Sequence, residues 1–175
     1  MTIYFADGTN IATAPGEGKL KEVLQNYKAA TVSSTSSSWA DVSGLSKTIT
    51  VSDSNKVLVL VNCGWGSNST VYRRLLRGST VIGGGTTFSN GRNGIGGGYG
   101  GNAGGSMGAY YSTNVEGFVY LDDPGNGSHT YKVQWLMEGG STGYLNRGFY
   151  DRESYTGDGY KSRTGSTITV IEVDA

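Results

Sequence analysis

The chain has 175 residues, 36% of them hydrophobic, with 14 basic and 14 acidic side chains, a formal net charge of zero and a single cysteine. That length and apolar content suit one ordinary domain with a core and exclude wholesale disorder. Zero net charge without a basic stripe removes the basis for electrostatic nucleic-acid binding, and the lone Cys63 excludes an intrachain disulfide.

In chain order, residues 1–18 read as an arm. "MTIYFADG" has the character of a short pairing strand, with Ile3, Tyr4, Phe5 and then Ile11 as its apolar contacts. It has neither the basic start nor the apolar stretch of a signal peptide. In "KLKEVLQNYKAA", Leu20, Val23, Leu24 and Tyr27 fall at i, i+3, i+4 and i+7, a helical stripe barely two turns long. It reads as a short helix or strand that needs a partner surface. The boundary between arm and domain is expected between residues 25 and 32, giving an arm and attachment segment over 1–30 and a β domain over 31–175.

From Thr31 the pattern is β. Trp39, Val42 and Leu45 punctuate a Ser-rich stretch, and "KTITVS" alternates. "KVLVLVNCGWG" is continuously apolar, which suits a strand buried on both sides; its longest apolar run, Val57–Val61, is too short to span a bilayer. "TVYRRLLRGSTVIGGG" reads as two strands about a turn at Arg77-Gly78. "NVEGFVYLDDPGNGSHTYKVQWLM" reads as two more about Asp123–Gly127, with Tyr131, Val133 and Trp135 on one face. "TGYLNRGFYD" suggests a further strand, residues 151–165 a polar loop, and "STITVIEV" a last strand. Roughly eight short strands with regular turn signals predict an all-β sandwich or jelly roll.

Residues 83–109, almost half glycine, show no strand or helix pattern. Irregular glycine spacing and scarce proline exclude collagen. Gly96, Gly98 and Gly101 match a dinucleotide-binding spacing, but that mechanism needs a preceding strand and a following helix, and neither is in prospect. A long glycine-rich loop within the β domain is the favoured reading. Phe88, Arg92, Asn93, Tyr99, Asn102, Tyr110 and Tyr111 then form a candidate recognition surface, since rings give area and amides give hydrogen bonds. The competing reading is a loop packed against neighbouring subunits with no ligand.

Catalytic signals are weak. His129 reads as a polar residue opening a strand and Cys63 as a buried structural thiol. Asp122, Asp123, Asp151, Glu153 and Asp158 lack calcium-loop spacing, and nothing selects a glycosidase pair among Glu116, Glu138 and Glu172. No metal or cofactor is expected.

Taken in order, "TVSSTSSSWADVSGLSKTITVSDSNKVLVLVN", "RLLRGSTVIGGG", "GFVYLDDPG", "HTYKVQW", "YLNR" and "STITVIEV" resemble a domain of tailed-bacteriophage structural proteins, marine and cyanobacterial phages especially. The resemblance implies a C1q/TNF-like trimeric jelly roll with an extended N-terminal arm, placed on the virion surface. It also implies a homotrimer in which Leu20, Val23, Leu24 and Tyr27 meet, with capsid or tail proteins as partners. A host surface glycan is the further partner expected of a tail-fibre tip. It transfers no catalytic residue. A polysaccharide depolymerase is the rival from another class.

Overall fold

The computed structural model describes residues 3–4, 10–11, 20–85, 94–99, 113–151 and 163–174, with backbone alone for 3–4, 10–11 and 96–99. The described residues form an all-β, jelly-roll-like sandwich of two antiparallel sheets. Strands are numbered in chain order: β1 Ile3–Tyr4, β2 Asn10–Ile11, β3 Leu20–Lys28, β4 Val32–Ser34, β5 Ala40–Val51, β6 Lys56–Ser67 and β7 Thr70–Arg77. They continue as β8 Thr80–Ile82, β9 Gly96–Tyr99, β10 Asn114–Asp122, β11 Gly127–Met137, β12 Gly143–Leu145 and β13 Ser166–Val173.

The first sheet runs β3-β13-β6-β12-β4, with β10 on the other edge of β6; the second runs β5-β11-β7-β8, with β9 also on β7. β1 and β2 pair with each other, Ile3 opposite Ile11. Period-two alternation explains the core. Val57, Val59, Val61, Cys63 and Trp65 of β6 point inward, as do Ile168 and Val170 of β13. They meet Leu45, Ile49 and Val51 of β5, Val71 and Leu75 of β7, and Tyr131, Val133 and Trp135 of β11. The expected shared face of the last three is therefore the core face. Each such aliphatic side chain contributes about 1.5–3 kcal/mol on leaving water.

Leu20–Tyr27, open to a helix or a strand in the sequence, is a strand, bonded along β13 from Leu20 opposite Val173 to Lys28 opposite Ser166. The helical stripe therefore splits: Leu24 packs on the core, whereas Leu20, Val23 and Tyr27 face outward. A neighbouring strand with unsatisfied N–H and C=O groups outweighs two turns' worth of helical preference. The first sheet thus includes β3. Finally, the glycine stretch holds a strand, β9, which lies antiparallel to β7 with Gly96 opposite Arg73 and Tyr99 opposite Thr70.

One residue of the "YLNR" block ties the first sheet together. Asn146 is fully buried with φ +64°. Its side-chain amide donates to the carbonyls of Lys28 (2.6 Å) and Ala30 (3.2 Å), and its Oδ1 accepts from Ser166 Oγ at 2.6 Å. Its backbone N–H donates to the Gly64 carbonyl, 2.7 Å. The chain beyond it crosses β6 so closely that a Cβ on Gly66 would lie 2.5 Å from the Arg147 carbonyl, and one on Gly64 would strike Thr164. Glycine is required there by close approach.

At the other end of β13, Glu172 accepts hydrogen bonds from Asn55 Nδ2 (2.9 Å) and from the N–H and hydroxyl of Ser52, both 2.8 Å. The Asn55 bond first, then the Ser52 backbone bond, hold its carboxyl below the ordinary value of 4.5. A depressed folded-state pKa adds stability that is complete above the unfolded value and is lost as pH falls through the folded one. Glu172→Gln should therefore cost about 1–3 kcal/mol at neutral pH. Urea unfolding at pH 7 and pH 3 checks this: the gap between variant and native chain should shrink at the lower pH.

Candidate functional site

The inner face of the first sheet is sealed by the second sheet; its outer face is apolar and open. In β10 the residues alternate, Phe118 and Tyr120 inward against the core, Val115, Val119 and Leu121 outward. Register places Leu121 beside Leu58, Leu58 beside Ile171, and Ile171 beside Val23, an unbroken apolar row across four strands. The next row runs Val119, Leu60, Thr169 and Gln25. Leu20, Val23, Tyr27, Val115, Val119 and Leu121 are each 52–66% exposed. Exposed apolar side chains scattered singly are ordinary, but a contiguous face of them marks an interaction surface.

The sequence-derived candidates fall as follows. Leu20, Val23 and Tyr27 belong to this face, and Leu24 does not. Val115, Val119 and Leu121 belong to it and were missed, although "VEGFVYL" carries the signal: apolar residues at odd and even positions alike mark two apolar faces. The run Val57–Val61 carries the same signal. It was expected to be buried on both sides, but the single chain buries only one: Val57, Val59 and Val61 are 0–3% exposed, while Leu58 and Leu60 remain half-buried on the outer face. Ile3, Tyr4 and Ile11 lie in the β1–β2 pair, away from the sheets' hydrogen-bonded paths. Tyr99 ends β9. Phe5, Phe88, Arg92, Asn93, Asn102, Tyr110 and Tyr111 lie outside the described residues.

Several of the polar residues singled out earlier have structural surroundings that account for them, whereas Glu153 and Asp158 lie outside the described residues. Cys63 is 1% exposed, and burial pushes its thiol up to about 12, so it is a thiol and not a thiolate at neutral pH. His129 Nε2 donates to the Gly125 carbonyl at 3.0 Å, closing the turn that opens β11. Asp122 accepts from Tyr131 Oη at 2.7 Å and pairs with Arg77 at 2.8 Å. Asp151, 1% exposed, takes Arg163 in a two-pronged pair at 2.6 and 3.2 Å. Among the described residues no three His, Cys, Asp or Glu side chains gather as a metal site.

Arg73 was not foreseen. It points into the sandwich from β7 at 2% exposure, stacks 4.3 Å from the Trp65 ring and pairs with Glu116 of β10. Its Nε and Nη1, with Trp65 Nε1, have no hydrogen-bond partner among the described residues. The pair ties β10 to the second sheet, but desolvation outweighs the pull of Glu116 and lowers the Arg73 pKa.

No protein-family model matches the chain, and no curated protein does. Its own side chains therefore carry the functional argument.

Removing one partner of a buried pair strands the other. Glu116→Ala should destabilise by more than about 2 kcal/mol, whereas Arg73→Met, which fills the same space without donors, should cost less. Urea midpoints of the two variants check the order.

Proposed function

We propose that the chain is a structural protein of a phage particle, a homotrimeric knob that acts by surface contact and not by catalysis. The observation that carries self-association is the β6 run Val57–Val61, written for burial on both faces and covered by its own chain on one. Copies of the same chain are the natural cover: the outer face of β3, β13, β6 and β10 is apolar, and the chain's zero net charge puts no barrier between copies. Val23, Ile171, Leu58 and Leu121 would lie at the centre of the contact, with Tyr27 and Gln25 nearer its margin.

The phage assignment, the three-fold order and the C1q/TNF-like likeness rest on the sequence blocks quoted above, together with a fold that accommodates all of them in strands or the turns between them. Three arms on one trimer would bind a symmetric site on the particle with avidity, each weak by itself. Within this reading the knob decorates the capsid, with the tip of a tail fibre as the alternative place.

Light scattering with mass determination should give three chains at micromolar concentration. Val23→Lys with Val119→Lys puts charges on the apolar face only, and should yield folded monomers with unchanged circular dichroism. A native protein that is monomeric throughout would refute the assembly. Deleting residues 1–18 should leave a folded oligomer that no longer joins particles; normal incorporation would refute the role of the arm. Sugar released from host capsule by the purified protein would favour the depolymerase instead.

A further inference from the structure

A second surface feature lies where Asn146 turns the chain. A cavity of about 330 Å³ opens between the start of β4 and the end of β12, lined by Thr31, Val32, Ser33, Tyr144 and Arg147. The size is at the lower end of small-molecule sites, roughly 300–1,000 Å³, and suits one sugar-sized group. The lining is polar, unlike the apolar sheet face.

The walls are set by the fold. Asn146 grips the Lys28 and Ala30 carbonyls just before Thr31 and is followed directly by Arg147, so one buried residue fixes both sides of the cavity. Ser33 is opposite Tyr144 in the β4–β12 register. The Arg147 guanidinium stacks 3.8 Å above the Tyr144 ring, and its Nη1 donates to the Asp151 backbone carbonyl. That stack holds the fork in place with its remaining N–H groups at the rim. The Asp151 carboxylate is fully engaged by Arg163, so the Arg147 charge has no carboxylate partner among the described residues. The hydroxyls of Thr31 and Ser33 are likewise unclaimed by described residues. Behind the Tyr144 ring, Phe149 lies 5.9 Å from it and Tyr150 5.0 Å from Phe149, so the ring is held in an aromatic cluster.

One preorganised guanidinium, two hydroxyls and the Tyr144 side chain match a ligand with one negative charge and several hydroxyls. We propose that this cavity binds a carboxylate-bearing sugar, a uronic acid unit of a surface polysaccharide. Arg147 takes the carboxylate in charge-assisted hydrogen bonds, and Thr31 and Ser33 take ring hydroxyls. A single cation matches a monoanion better than a phosphate dianion. The inference is independent of the assembly reading, because the cavity is built within one chain.

The test titrates the full-length native chain, by ligand-observed NMR and calorimetry, with glucuronate, glucose, glutamate and inorganic phosphate. Saturable glucuronate binding at least about tenfold tighter than glucose is expected, the ratio a charge-assisted contact gives. Thr31→Val with Ser33→Ala, two surface changes, should weaken it about tenfold while the thermal midpoint stays put, and Arg147→Lys should weaken it less than Arg147→Gln. No saturable binding, equal affinity for glucose, or affinity unchanged in the hydroxyl double variant would overturn the proposal. So would displacement by glutamate or phosphate as effective as by glucuronate itself, which would mean a site for any anion. The oligomer mass, measured on the same samples, separates this outcome from the fate of the trimer.

Discussion

The position of β6 is the constraint from which the rest of the molecule follows. It hydrogen-bonds to β13, β10 and β12, more partners than any other strand of the first sheet. Its inward residues set the core against β5, β7 and β11. Its outward residues are also apolar over the same stretch, so the strand satisfies one side within the chain and leaves the other to be satisfied elsewhere. A strand of this composition at a sheet edge would invite indiscriminate pairing. Placed centrally, its backbone is fully bonded and only its side chains face outward. The hazard of edge-to-edge aggregation thus becomes a face-to-face contact.

Polar groups in the interior divide into two kinds. Asn146, Ser166 and Glu172 are satisfied by several partners each, and they sit where separate strands must be held in fixed relation. Arg73 keeps unpartnered donors, and its pairing with Glu116 is bound up with a Trp65 stack. The first kind rigidifies the sheet and shapes the surface above it; the second marks the place where the core tolerates imperfect satisfaction. The cavity above Asn146 follows from the first kind. The chain can cross over Gly64 and Gly66 only because those positions lack side chains, and the crossing carries Arg147 onto Tyr144.

Much of the architecture was legible because period-two patterns are local. "KTITVS", "KVLVLV", "TYKVQW" and "STITVIEV" each declare a strand from a few residues, and the sandwich follows from their number. The region Leu20–Tyr27 was ambiguous because its spacing satisfies a helix locally, while its state is decided by β13, far along the chain. The strand Gly96–Tyr99 was hidden because glycine carries no side-chain pattern; only the free edge of β7 makes it a strand. The apolar face was half visible in the doubly apolar runs. Arg147 and Tyr144 stand in the "YLNR" block, which by itself declares no binding role, and Thr31 and Ser33 meet them through a register that sequence does not display.

β13 lies between β3 and β6, and the contact between Gln25 and Thr169 spans 144 positions. As the chain leaves the ribosome, β3 and one edge of β6 must wait for a strand synthesised long afterward. Until it arrives, the most apolar run in the protein has an unfilled slot beside it, and filling that slot carries the loop-closure entropy of a contact 144 positions long. Maturation is therefore a late event gated by translation, and nascent copies crowded on one message are exposed to mispairing during that interval.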